Sequence, residues 1–143
     1  CYHGASAGAG MLTGEPRHFA NEPGPAGFIK YDGPYAYRAP HQVKFKYEDD
    51  VADFYLELLE NQVRYEGPEN IAAIFLETVV GSNGILIPPV KWIRGVRELC
   101  TRYGIVMVCD EVMAGWYRMS QNRVKCLRIS LRATRKSTVA WVK

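Results

Sequence analysis

Ile105-Val106-Met107-Val108-Cys109-Asp110-Glu111 is the stretch that decides the fold. Five apolar residues followed by two acids match a strand buried on both faces that opens at its carboxyl end. Upstream, Ile71-Ala72-Ala73-Ile74-Phe75-Leu76 repeats the pattern, with Glu77 at its end. Between the two runs, Trp92, Ile93, Val96, Leu99, Cys100 and Tyr103 form one apolar stripe of a helix over 90–103. Pro88-Pro89 stops any earlier helix, and Gly104 suits the left-handed position that closes one. Gly81-Ser82-Asn83-Gly84 reads as a turn. The order strand, helix, strand predicts a βαβ unit with parallel strands and a right-handed crossover. Ligands of such sheets bind beyond the carboxyl ends of the strands, where Glu77 and Asp110 stand.

Further upstream, Val51, Phe54, Tyr55, Leu58, Leu59 and Val63 fall on one helical face and predict a helix over 48–65. Asp49 and Asp50 suit its first turn, and Gly67-Pro68 ends it. Residues 4–40 are rich in Gly and Pro and read mostly as loop. A loop of that length is either functional or pinned against something larger.

The 143 residues suffice for one domain with a core, and 48% hydrophobic with 23% charged residues is ordinary for an α/β protein. The longest apolar run is far short of the roughly 20 residues a membrane helix needs. Cys1, Cys100, Cys109 and Cys126 contain no Cys-x-x-Cys pair, so no metal site is expected. A reducing compartment fits, cytoplasmic or mitochondrial. The first residue is Cys1, not Met, and the start is expected to lie inside a longer reading frame.

Charge is unevenly spread. Residues 1–118 hold 11 basic and 15 acidic groups, and residues 119–143 hold 7 basic and no acidic ones. The tail also has no Gly or Pro. Such a break marks a change of segment. A basic tail binding nucleic acid through phosphates is the weaker reading, because Trp141 stands without repeated aromatic interleaving.

Asp110 has three readings. It caps a following turn. It ends a Walker B strand, which would require a phosphate loop with a lysine that Gly4 to Gly10 does not supply. Or it holds the pyridinium nitrogen of a cofactor. His3 is read first as a structural hydrogen-bonding residue and second as a pocket residue. His18 and His41 lie in loops without a nameable partner, and Glu111 with Arg118 reads as a local ion pair.

Residues 71–89, residues 96–115 and Tyr2-His3-Gly4 together resemble the class III aminotransferases, over residues 1–118 and in order. The subset they most resemble uses pyruvate as amino acceptor, as in taurine–pyruvate and related ω-amino acid enzymes. The resemblance implies part of the large domain of a fold-type I enzyme, α/β, with a partly parallel sheet and flanking helices. It implies pyridoxal 5'-phosphate as cofactor, a small amine donor, a 2-oxo acid acceptor, and homodimers of the full-length protein. It also implies that Asp110 pairs with the pyridine nitrogen. Val112 packs on one ring face and Tyr2 on the other. Gly4 lets the chain pass close by, His3 supports the pocket, and Glu77 lies on the substrate side.

Two parts of the family pattern are missing from this stretch of sequence. The phosphate-binding turn would precede Cys1. The Schiff-base lysine would follow Asp110 by some tens of residues. Lys125, Lys136 and Lys143 lack the family's context, and none is assigned. After Gly115 the chain reads Trp116-Tyr117-Arg118-Met119-Ser120 where the family has an aromatic-Gly-Arg-Thr-Gly pattern, and from Met119 onward the likeness ends. Residues 119–143 are expected to be disordered or to derive from a shifted frame or unspliced intron. The chain alone is expected to be inactive, a non-catalytic remnant or interaction fragment being the alternative.

Overall fold

The computed structural model describes residues 1–21, 24–40 and 43–115. The expectations for His41, Arg118, Cys126 and the basic tail fall outside the described residues. Two parallel strands form the sheet, β1 (Ala73–Glu77) and β2 (Val106–Asp110). They are joined through α3 (Val90–Tyr103). Before them come α1 (Ala7–Leu12) and the long α2 (Glu48–Glu66). The strands pair residue for residue from Ala73 with Val106 to Glu77 with Asp110. The two acids are therefore register partners, on adjacent strands and the same face.

The first correction concerns the strands. Neither is buried on both faces. Side chains alternate across a strand, and here the alternation is real. Ile74, Leu76 and Met107 join the core, while Phe75, Glu77, Val108 and Asp110 share the opposite face. The apolar runs suggested two covered faces because the second face is also mostly apolar. A second correction concerns residues 4–40. They contain α1 and 3-10 turns at Pro16–Asn21 and Ala36–Arg38. Gly8 and Gly10 are compatible with a short helix despite their low propensity.

The core joins α2 and α3 to one sheet face through Tyr55, Leu59, Val63, Trp92, Val96, Leu99, Cys100 and Ile105. Leu58 is 39% exposed, so the stripe of α2 centres on Val51, Tyr55, Leu59 and Val63, spaced by four residues. Gly95 of α3 lies under Leu56, where an added Cβ would come within 2.4 Å of a Leu56 methyl. The missing side chain lets the helices approach.

The Asp50 carboxylate accepts the backbone N–H groups of Lys46 and Tyr47 and fixes the entry to α2. Gly104 closes α3 at φ 71°, ψ 20°, the left-handed conformation that suits glycine.

The loop after α1 is stitched to these elements. Tyr31 donates its hydroxyl to the Phe75 carbonyl of β1 at 2.7 Å. Gln62 of α2 donates to the Lys30 carbonyl, and the Tyr55 hydroxyl donates to the Tyr35 carbonyl. Burial pushes the Tyr31 phenol well above its ordinary range, so it stays a donor. Among the described residues no helix is long and apolar enough to cross a membrane.

On the outer side, Glu60 of α2 gathers Arg64, Arg102 and the Tyr103 hydroxyl on one carboxylate oxygen, at 2.6, 2.8 and 3.1 Å. Burial alone would raise the Glu60 pKa, but hydrogen bonds from Tyr103 and Arg64 and the Arg102 charge outweigh it and lower it. A folded-state pKa below the unfolded one stabilises above the ordinary glutamate range. That stabilisation is lost as pH falls through the depressed value. Glu60→Gln is expected to cost roughly 0.2–1 kcal/mol at neutral pH, the range of exposed pairs. The deficit should shrink in acid. Urea unfolding of both chains at neutral and acidic pH checks this, and a deficit independent of pH would contradict it.

Candidate active site

Glu77 and Asp110 end neighbouring parallel strands on the face away from the helices. Two carboxylates so placed repel unless each has its own donors. Glu77 is 6% exposed. It accepts the Tyr2 backbone N–H on Oε1 at 2.9 Å and the Gly81 N–H on Oε2 at 2.8 Å. Asp110 accepts the Val112 N–H on Oδ1 at 3.0 Å, and its Oδ2 lies 2.8 Å from His3 Nδ1. Its side chain is 18% exposed. It is neither turned to bulk water nor sealed in.

Residues 1–4 lie across both strand ends. One donor of this segment goes to Glu77 and the next residue's side chain goes to Asp110. A carboxylate can only accept, so His3 Nδ1 carries the hydrogen. The His3 ring stands edge-on to Phe75 with centroids 6.2 Å apart. Gly4 sits at φ 119°, where an added Cβ would lie 2.9 Å from the Ala9 Cβ. Glycine is required there on both counts.

Thr13 completes the arrangement. It is fully buried. Its Oγ1 accepts the His3 backbone N–H at 2.9 Å and offers its own hydrogen to the Gly4 and Ala9 carbonyls, each at 3.0 Å. The Gly14 N–H donates to the Cys1 carbonyl at 2.9 Å. Sequence reading missed Thr13. A threonine between Leu12 and Gly14 looks like any loop residue, and only the return of the chain to His3 gives it work. His18 does have a neighbour, the Tyr2 ring, with centroids 5.6 Å apart.

The turn after each strand forms the rim. An added Cβ at Gly81 would lie 2.8 Å from Met113 Cγ, so the two turns touch. Val112 is 79% and Tyr2 37% exposed. The arrangement thus offers a carboxylate with acceptor positions to spare, since two of its roughly four lone-pair sites are used. It also offers an exposed aliphatic and an exposed aromatic surface. A flat, protonated nitrogen heterocycle, which donates its N–H, fits that acceptor and those surfaces. The structure brings together Tyr2, His3, Glu77, Asp110 and Val112, and it places Gly4 beside them. Glu77 serves the backbone with both oxygens.

The class-III aminotransferase family matches residues 1–120, and the chain belongs to it. It is 33% identical over 119 residues to a probable aminotransferase of Mycobacterium tuberculosis, Rv3329, covering 82% of this chain and 25% of that protein. It is 30% identical over 118 residues to the hypotaurine/taurine–pyruvate aminotransferase of Paracoccus denitrificans, covering 80% of this chain and 24% of that protein. Among solved structures it resembles the taurine:2-oxoglutarate aminotransferase of Bifidobacterium kashiwanohense, solved with PLP and glutamate. That match has TM-score 0.72 and 43% identity, over 80% of this chain and 26% of the other. The chain spans about a quarter of the length of the curated relatives it matches.

Thr13→Val leaves the His3 amide without its acceptor in a buried position. The expected cost is roughly 1–3 kcal/mol of unfolding free energy. Urea denaturation measures it, and a loss below a few tenths would mean that the amide has found another partner.

Proposed function

We propose that this chain is the ring-binding part of a pyridoxal-phosphate-dependent transaminase. The reaction moves an amino group from an ω-amino or related donor to a 2-oxo acid such as pyruvate. The taurine and hypotaurine enzymes among the relatives support the donor class. Pyruvate is the acceptor the sequence resemblance favours, and 2-oxoglutarate is the acceptor named for the structural relative. When bound, the cofactor supplies an electron sink that depends on a protonated ring nitrogen.

The residues of this chain act around that nitrogen. Asp110 accepts its hydrogen and keeps it protonated, because a negative charge at hydrogen-bond distance favours the charged form. His3 holds Asp110 Oδ2, and the Val112 N–H holds Oδ1, so the carboxylate does not rotate away. Tyr2 and Val112 cover the two ring faces, and Gly4 keeps the chain clear of the ring. Glu77 borders the substrate side and locks the Tyr2 backbone in place. The observation that carries this reading is Asp110 at the carboxyl end of β2, gripped from behind by His3. Span argues for inactivity in isolation, since about three quarters of the length of its relatives has no counterpart here.

Pyridoxamine 5'-phosphate is a suitable probe, because its amine does not condense with surface lysines. Titration followed by quenching of Tyr and Trp fluorescence should show binding. Asp110→Ala should weaken it by roughly ten-fold or more, the worth of one charge-assisted hydrogen bond. The chain should show no amino transfer between taurine and pyruvate. Equal affinity in Asp110→Ala would remove the basis of the assignment, and turnover by the chain alone would refute the inactivity.

A further inference from the structure

The reading above uses His3 only through Asp110 and gives Cys1 no role. Cys1 Sγ lies 3.1 Å from His3 Nε2, and the other ring nitrogen is committed to Asp110 at 2.8 Å. With the hydrogen on Nδ1, a neutral imidazole presents Nε2 as a lone pair. The thiol is therefore the donor, and its proton already points at a base. Asp110 stabilises the imidazolium that forms if the proton moves. Nucleophile, base and orienting carboxylate stand in the order that activates a side chain for attack.

We infer that Cys1 is a nucleophilic thiol, activated by His3 and Asp110, that exchanges with small disulfides to form a mixed disulfide. Cys1 Sγ attacks one sulfur of the disulfide. A new S–S bond forms as the old one breaks, the other half leaves as a thiolate, and the Cys1 proton passes through His3 Nε2 to that thiolate. The disulfide is the sole oxidant.

Access is provided. Cys1 lines two adjoining cavities of about 740 and 680 Å³, which share Gly14, Phe19, Tyr31 and Asp32. Each is large enough for a small peptide disulfide. Charges on these walls oppose one another: Glu66, Glu77 and Asp32 disfavour a thiolate, and Lys30 and Arg38 favour it. His3, in direct contact, decides the balance. A free thiol is only about 3% ionised at neutral pH, so complete activation could raise the rate about thirty-fold. Lower intrinsic nucleophilicity reduces that, and about ten-fold is expected. The other described thiols differ. Cys100 is fully buried, and burial pushes its thiol up to about 11. Cys109 is half-buried on β2. The inference does not depend on the cofactor assignment, since it needs only the three side chains in contact.

The test incubates the reduced 143-residue chain with glutathione disulfide at neutral pH and follows each cysteine by peptide mass spectrometry. Cys1 should react about ten-fold faster than the same cysteine in a short peptide of residues 1–6. Cys100 should stay free, which reports an intact fold. His3→Gln should bring Cys1 down to the peptide rate while Cys100 stays protected. A native Cys1 no faster than the peptide would overturn the inference, as would an unchanged rate in His3→Gln with Cys100 still protected. If His3→Gln exposes Cys100, the wild-type chain unfolded in guanidinium replaces it. There Cys1 should lose its advantage over the peptide in the same solvent, and an advantage that survives unfolding would overturn the inference.

Discussion

Two carboxylates on adjacent parallel strands, Glu77 and Asp110, must each be supplied with donors, and the rest of the site follows from how that is done. Backbone amides and one imidazole do it. One donor to each acid comes from a segment more than seventy residues earlier in the chain, so that segment has to lie across the strand ends. Its path in turn requires Gly4 at a positive φ and a buried Thr13 to receive the His3 amide. The candidate site and the contacts that fix the start of the chain are here the same set.

The helices meet a different demand. α2 and α3 cover only one sheet face, leaving the acids on the other. Because strand side chains alternate, the residues that hold the fold and those of the candidate site are interleaved along five positions. Leu76 is core and Glu77 faces the candidate site; Cys109 packs against the core and Asp110 faces the candidate site. A register shift of one residue would exchange the two sets.

The βαβ order, the span of α3 and the two acids at the strand ends were legible in the sequence. Each rests on a local pattern: an apolar run, a 3.6-residue stripe, an acid directly after a strand. The Tyr2-His3-Gly4 element was legible through resemblance, and it lies within residues 1–120, which the family matches. Thr13 was not, because its partner at His3 is set by a chain reversal that no periodicity encodes. The depth of strand burial was misjudged because Phe75 and Val108 are apolar on the face that carries the acids. α1 was hidden by glycines, whose helix propensity is low.

Thr13 touches neither acid, yet its hydroxyl holds the His3 amide and the Gly4 carbonyl in the arrangement that lies over them. A ligand that binds only one arrangement of a chain has an apparent dissociation constant equal to the intrinsic one divided by that arrangement's fraction. On the proposed function, a buried hydroxyl would bear on affinity at Asp110 through His3 rather than by touching the ligand.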